Sequence, residues 1–242
     1  METTKMLQVI ISTYRWILGY AVFFLGAPLL IIVTFLPPER LRYRAATWFS
    51  RSVLFALGAR LKIEGRIPTD RAYIFMANHA SFADVFILAA VMRRSFTGIM
   101  ATESFRYPLW GALARRFRVI SIRRQDRASA IASMGIAERL LQDGLSVVML
   151  PEGTRTITGR MGPLKKGGFH MALNTGAPIQ VIGIEGAFRF KRKTSSLLRP
   201  GPITVRFGKL IPPERHKDMS LEEVMAEVRE ELLVLSGEVA GH

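Results

Sequence analysis

The sequence contains no cysteine among its 242 residues. That absence excludes disulfide bonds, thiolate metal ligands and a cysteine nucleophile, and it suits a reducing compartment such as the cytosol. Histidine is also scarce: the chain has four, so any chemistry that depends on histidine has few candidates. No Gly-x-Ser-x-Gly segment occurs in the chain, which disfavours a serine hydrolase.

Acidic residues are few, because 34 lysines and arginines stand against 19 aspartates and glutamates and give a net charge of +15. A field of this sign attracts nucleic acids, acidic lipid headgroups or acidic carrier proteins. Hydrophobic residues make up 49% of the chain, and no helix-turn-helix, zinc-finger or RNA-binding motif is recognisable. We therefore expect an anionic membrane as a partner, and no nucleic acid.

One long apolar run stands near the N-terminus, where residues 17–36 carry no charge. Its length suffices for a bilayer core of ~30 Å at ~1.5 Å per residue, although Pro28 predicts a kink. Residues 39–57 then mix arginines with large apolar side chains, which is typical of an interfacial helix. Three interpretations of the apolar run remain open: a single transmembrane helix, a kinked helix pair in one leaflet, and a buried core helix.

The remaining chain alternates strand-like and helix-like segments. Strands separated by helices predict an α/β fold, in which a mixed sheet is flanked by helices. Residues 1–58 are expected to form an N-terminal membrane-associated helical segment, and residues 59–242 a single larger domain. We predict strands over residues 72–77, 97–101, 119–122, 146–150, 179–184 and 203–207, and helices over residues 83–92, 107–115, 127–142, 167–175 and 220–235.

The first candidate site follows an apolar strand, in the segment Asn-His-Ala-Ser-Phe-Ala-Asp of residues 78–84. Strand ends in α/β sheets are where ligands and catalytic groups gather. Asp84 could hydrogen-bond one ring nitrogen of His79 and leave the other to take a proton from a substrate hydroxyl. This pair is the base and orienting half of a serine triad, with a substrate alcohol as nucleophile. Alternatively, Asp84 forms a capping box with Ser81 and only caps the helix.

A second candidate site begins at residues 150–155, Leu-Pro-Glu-Gly-Thr-Arg, which open a glycine-rich basic loop. Backbone amides and basic side chains in such a loop can hold a phosphate, although an ordinary surface loop has the same composition. Glu152 is unusual there, and we expect it to pair with Arg155 or another arginine, or to hydrogen-bond substrate. A third predicted strand ends in Arg123 and Arg124, which could clamp a phosphate or face solvent.

Together these segments resemble the glycerolipid acyltransferase family over roughly residues 60–210. The family's first block, Asn-His-x4-Asp, matches residues 78–84, and its second block, a strand ending in arginine, matches residues 120–123. Its third block, Phe-Pro-Glu-Gly-Thr-Arg, matches residues 150–155 with leucine in place of phenylalanine. The fourth block, an apolar strand with two prolines, is met in part by residues 177–184, where valine replaces the second proline.

The resemblance implies transfer of a fatty acyl group from acyl-CoA or acyl carrier protein to the free hydroxyl of a lysophospholipid. The expected acceptor is 1-acyl-sn-glycerol-3-phosphate, the expected product is phosphatidic acid, and neither a metal nor a cofactor is implied. His79 would be the general base, and Asp84 would orient it. The residues expected to bind substrate are Asn78, Ser81, Arg123, Glu152, Gly153, Thr154, Arg155 and Lys166.

Two alternatives to this function stay open: the acceptor is another lysophospholipid or a glycolipid, or the protein binds membrane lipids without catalysis. Because acyl donors are cytosolic, we expect the protein at the cell membrane with its acyltransferase domain, residues 59–242, facing the cytoplasm. Basic residues flank the apolar run on both sides, so the positive-inside rule does not fix this orientation.

Overall fold

The computed structural model describes residues 2–123 and 125–238. Arg124, one of the two candidate strand-end arginines, lies outside the described residues, as do residues 239–242 of the predicted larger domain. A short 3-10 helix covers Thr102–Arg106. The α-helices are α1 (Glu2–Val33), α2 (Glu39–Leu57), α3 (Asp84–Val91), α4 (Pro108–Arg116), α5 (Arg127–Gln142), α6 (Gly167–Thr175), α7 (Ala187–Phe190), α8 (Pro213–His216) and α9 (Leu221–Leu235).

The strands are β1 (Ala59–Glu64), β2 (Ile74–Ala77), β3 (Phe96–Ala101), β4 (Ile120–Ile122), β5 (Ser146–Met149), β6 (Ile179–Glu185) and β7 (Gly201–Ile211). They form one seven-stranded mixed sheet in the order β1-β7-β6-β2-β5-β3-β4. Neighbouring strands are parallel except β6 and β7, which are antiparallel. This arrangement confirms the predicted α/β fold with a mixed sheet.

The centre of the sheet is buried on both faces, as near-continuous apolar strands require. Alternate side chains of β2 point to opposite faces, so Phe75 packs in one core cluster and Ile74 and Met76 in the other. Helices α2 and α3 cover the first face, while α5, α6 and α9 cover the second. Strand β2 lies between β5 and β6, which puts the carboxyl ends of β2 and β5 side by side.

Helix α1 is continuous from Glu2 to Val33 and includes Pro28, so it begins well before the apolar run predicted from residue 17. It packs against α2 and α4 and leaves large apolar side chains in solvent, with Leu25 exposed by 73% and Leu29 by 64%. That exposure makes the buried-core interpretation wrong. Within the described residues, α1 alone is long and apolar enough to cross a membrane.

Helix α2 has the predicted bounds, and its last turns join the main core through Val53, Leu54 and Leu57. Because α2 contacts the core in this way, the structure does not separate residues 1–58 from the rest of the chain, and the boundary at residue 58 stays a prediction. All six predicted strands are present, and α5 and α6 have the predicted bounds. Strand β1 was missed because charged residues alternate along it: it is an edge strand, and only Ala59 is buried.

Candidate active site

The centre of the candidate site is the turn between β2, which ends at Ala77, and α3, which begins at Asp84. His79 lies in this turn, and its Nδ1 is 2.8 Å from the Asp84 Oδ2. The Asp84 side chain is completely buried, whereas 15% of the His79 side chain reaches solvent. The predicted contact between the two residues is present, with the histidine on the accessible side.

Asp84 Oδ2 also accepts the backbone N–H groups of Ala80 at 2.8 Å and Ser81 at 2.9 Å. The carboxylate stands in the first turn of α3, where the helix dipole favours negative charge. Because a carboxylate only accepts hydrogen bonds, Nδ1 of His79 is the donor in this contact, and in the neutral imidazole Nε2 then carries the lone pair. Nε2 can therefore accept a proton from a hydroxyl group placed beside it. Asp84 thus both binds the amides that precede the helix and orients the imidazole.

Glu152 joins the second loop to this turn. Its Oε1 accepts the backbone N–H of His79 at 2.6 Å, and its Oε2 accepts the N–H of Gly162 at 2.9 Å. Burial raises the pKa of the Glu152 carboxyl, and these two backbone donors partly offset that effect. Within the described residues, its hydrogen-bond partners are these backbone amides rather than Arg155 or another arginine, and a hydrogen bond to substrate stays a prediction.

Two further residues of the first motif fasten the turn to its surroundings. The Asn78 amide donates to the Ile184 carbonyl at 2.9 Å and accepts the Ile184 N–H at 2.7 Å, which joins the end of β2 to β6. The buried Ser81 hydroxyl donates to the Lys191 carbonyl at 3.1 Å. These bonds position the turn, and substrate contacts by Asn78 and Ser81 stay predictions.

Beside the turn lies an open groove with a volume of about 440 Å³. Arg155 lines this groove, as the phosphate-binding hypothesis requires. Most of the other residues that line the groove were not predicted from the sequence. Sequence reasoning missed them because α1, the turn and the loop after α7 are far apart along the chain. The basic run Arg-Phe-Lys-Arg-Lys of residues 189–193 was the one available signal. The groove is lined by Trp16, Tyr20, Phe82, Arg155, Lys191 and Ser196.

The other predicted binding residues are spread more widely. Arg123 is exposed at the end of β4, three strands from β2, which is on the order of 14 Å across the sheet. Lys166 is exposed and forms an ion pair of 2.9 Å with Glu222 on α9. Thr154 Oγ1 accepts a hydrogen bond of 3.2 Å from Lys193 Nζ. Gly153 adopts a left-handed φ of 70°, which suits the tight turn that follows β5.

The structure thus brings together a histidine, the carboxylate hydrogen-bonded to it and a neighbouring groove that contains cations. Within the part of the chain that the structure describes, no three histidine, aspartate or glutamate side chains group as metal ligands would. The arrangement can remove a proton from an alcohol next to a basic, aromatic-walled groove.

A sequence model of the acyltransferase family matches residues 60–185. A 1-acyl-sn-glycerol-3-phosphate acyltransferase from Limnanthes douglasii is 32% identical over 224 residues, which cover 90% of this chain and 79% of that protein. A 1-acyl-sn-glycerol-3-phosphate acyltransferase from Cocos nucifera is 33% identical, over 74% of this chain and 59% of that protein. The chain therefore belongs to the acyltransferase family.

The fold is also similar to a solved structure, the 1-acyl-sn-glycerophosphate (LPA) acyltransferase PlsC from Thermotoga maritima. The superposition covers 98% of each chain with a TM-score of 0.83, at 22% sequence identity. The similarity thus extends over the N-terminal helices as well as the sheet.

Proposed function

We propose that the protein transfers a fatty acyl group from a thioester donor to the free hydroxyl of 1-acyl-sn-glycerol-3-phosphate, giving phosphatidic acid. The observation that carries this proposal is the 2.8 Å contact between His79 Nδ1 and Asp84, beside a groove containing Arg155. The relatives whose names state this activity support the choice of acceptor.

The chemistry that this site supports needs a base and no covalent acyl-enzyme. Nε2 of His79 takes the proton of the acceptor hydroxyl while the hydroxyl oxygen attacks the thioester carbonyl. The C–O bond forms and the C–S bond breaks as the tetrahedral oxyanion collapses. The imidazolium then gives its proton to the leaving thiolate, and neutral His79 is restored. Asp84 holds the ring in the tautomer that this sequence requires.

Substrate binding follows from the charges around the turn. Arg155 binds the acceptor phosphate, since a guanidinium matches the geometry of phosphate oxygens. The net charge of +15 attracts either coenzyme A or an acidic acyl carrier protein as the donor carrier. Glu152, Asn78 and Ser81 act by positioning the catalytic turn rather than by contacting the reacting atoms.

Residues 1–58 anchor the acyltransferase domain, residues 59–242, at the cytoplasmic face of an anionic cell membrane. Contacts of α1 with that domain begin at Ser12, whose Oγ accepts the N–H of Leu198 at 2.9 Å, and extend to Leu30, which packs near Leu113. That stretch covers about 27 Å at the rise of an α-helix, close to the whole depth of a bilayer core. A spanning α1 would draw the domain into the hydrocarbon, so this contact favours insertion into one leaflet.

The test is acyl transfer by the purified protein in anionic vesicles, with oleoyl-CoA and a panel of lysolipid and glycolipid acceptors. We expect phosphatidic acid from 1-acyl-sn-glycerol-3-phosphate as the main product. Preference for a different acceptor would contradict the acceptor assignment and leave the reaction class intact. Absence of transfer with both oleoyl-CoA and oleoyl-acyl carrier protein would favour the non-catalytic alternative.

A further inference from the structure

The groove beside the catalytic turn contains a second cation, Lys191, which the sequence analysis did not assign to the site. Lys191 follows α7 in the chain and is half-buried. It lines the same groove as Arg155, together with Trp16 and Tyr20 of α1.

The position of Lys191 is fixed relative to the catalytic turn at two points. Its backbone carbonyl accepts the hydroxyl hydrogen of Ser81 at 3.1 Å, two residues after His79. Its Nζ stands 5.9 Å from the centre of the Phe82 ring, which stacks on Trp16 at 5.4 Å. Both the backbone and the ammonium of Lys191 therefore lie against residues of the turn that contains His79.

In the part of the chain that the structure describes, no acidic side chain neutralises either cation of the groove. Among residues 2–123 and 125–238, neither Arg155 nor Lys191 forms an ion pair with an acidic side chain. The Lys191 ammonium donates to the Arg192 carbonyl at 2.9 Å, which leaves further donor hydrogens available. Burial, and then the charge of Arg155, lower the pKa of Lys191. Two like charges kept together without a partner are stabilised when an anion binds between them.

We propose that Lys191 is a specificity-determining residue that binds the acceptor phosphate together with Arg155. The inference rests on the proposed function and adds to it a second ligand for the phosphate. Two cations suit a phosphate monoester, which carries up to two negative charges, better than they suit a neutral acceptor. Lys191 thereby favours a phosphorylated lysolipid over a neutral monoacylglycerol. Phosphates of the donor coenzyme A present the same chemistry, and the kinetic test separates the two sources.

The kinetic test compares Lys191→Met and Lys191→Arg with Lys217→Met, which removes the same charge from an exposed residue after α8. With Lys191→Met, we expect KM for 1-acyl-sn-glycerol-3-phosphate to rise roughly tenfold or more, the usual effect of losing a charged hydrogen bond. KM for oleoyl-CoA and the rate with 1-acylglycerol should stay within about twofold, as should every parameter of Lys217→Met. Lys191→Arg should retain most of the affinity for the phosphorylated acceptor.

Three outcomes would overturn the inference. An unchanged KM for the phosphorylated acceptor, or an equal rise of KM for 1-acylglycerol, would show that Lys191 does not bind the acceptor phosphate. A rise confined to oleoyl-CoA would assign Lys191 to the donor instead.

A second measurement does not depend on turnover. The whole protein in vesicles is treated with acetic anhydride, and acetylation of Lys191 is quantified by mass spectrometry, with Lys217 as an internal control. We expect 1-acyl-sn-glycerol-3-phosphate to protect Lys191 severalfold and 1-acylglycerol to leave it reactive, while Lys217 is unaffected. Equal labelling of Lys191 with both lipids would refute the inference. Protection without acyl transfer would instead refute the proposed function and leave Lys191 as a phosphate ligand.

Discussion

The backbone N–H of His79 donates to the Glu152 carboxylate at 2.6 Å, across 73 residues of sequence. This bond connects the two motifs that carry the site, one at the end of β2 and the other after β5. The same carboxylate holds Gly162 through its second oxygen. Glu152 thereby fixes the turn that contains His79.

Replacing Glu152 with glutamine should therefore lower kcat. The amide nitrogen of glutamine would oppose either the His79 or the Gly162 N–H, so one buried donor would lose its acceptor. The expected loss of stability is about 1.5–3 kcal/mol, the usual cost of removing a charged hydrogen bond, and kcat should fall roughly tenfold or more as the turn shifts. Kinetics and thermal unfolding of the variant test both effects. Glu222→Gln, which breaks an exposed ion pair with Lys166, is the control and should change each by little. Full activity of Glu152→Gln would contradict the positioning role.

The stability contributed by Glu152 should depend on pH in a definite direction. Burial raises the pKa of its carboxyl in the folded state above the ordinary value of 4.5, so the folded protein binds this proton more tightly than the unfolded chain. The contribution is then most favourable below pH 4.5 and is lost as pH rises through the raised pKa. The free energy of unfolding should be measured for wild type and Glu152→Gln at several pH values. The wild-type value minus the Glu152→Gln value should decrease as pH rises. An increase of that difference with rising pH would contradict a raised pKa of Glu152 in the folded state.

Removal of the negative charge of Asp84 should lower kcat strongly. Asp84→Asn loses the negative charge beside Nδ1 and can present an N–H to a ring nitrogen that must itself donate. By analogy with the same Asp→Asn change in a serine protease triad, where the wrong histidine tautomer lowers kcat by about 10⁴, kcat should fall by about 10³ to 10⁴. Steady-state rates with both substrates saturating measure the effect, and circular dichroism checks that the variant folds. A loss of less than about tenfold would mean that Asp84 acts only on the helix terminus.

The two tryptophans of the N-terminal helices should behave differently. Trp16 stacks on Phe82, and its Nε1 donates to the Ser196 carbonyl at 2.8 Å, whereas Trp48 is 67% exposed. Trp16→Ala should raise KM for the lysolipid roughly tenfold, since the loss of one large apolar side chain from the groove removes about 1.5 kcal/mol or more of apolar burial. Trp48→Ala should leave KM close to wild type at saturating vesicle concentration and weaken vesicle binding instead. Similar effects of the two variants on KM would contradict the assignment of α1 to the groove.

The exposed apolar face of α1 should control membrane binding. Leu25→Glu and Leu29→Glu introduce charges where we propose that hydrocarbon surrounds the helix, at a cost of about 2 kcal/mol or more each. Their combination should lower partitioning into anionic vesicles by roughly a hundredfold or more, as measured by co-sedimentation. Ile131→Glu on α5 is the matched control, because Ile131 is also exposed, by 64%, but lies outside the proposed anchor. Equal partitioning of wild type, the Leu25→Glu and Leu29→Glu double variant, and Ile131→Glu would contradict the assignment of α1 as a membrane anchor.

The sequence predicted the parts of the site that depend on short separations. His79 and Asp84 are five residues apart, and an apolar strand followed by a helix leaves few ways to arrange them. The partners of Glu152 could not be predicted, because they are backbone amides that only the folded loop brings together. Trp16 and Lys191 were missed for a similar reason: no local pattern indicates that α1 and the loop after α7 line one groove. Strand β1 escaped detection because it has one buried residue and lies at the sheet edge.

The most direct test of the central claim is the rate at which wild type and His79→Ala form phosphatidic acid from oleoyl-CoA and 1-acyl-sn-glycerol-3-phosphate. A positioned general base contributes about 10² to 10⁴ to the rate, so we expect the variant to lose at least a hundredfold in kcat while still binding the lysolipid. Phosphatidic acid formed by His79→Ala at the wild-type rate would contradict the assignment of His79 as the base and, with it, this account of the site.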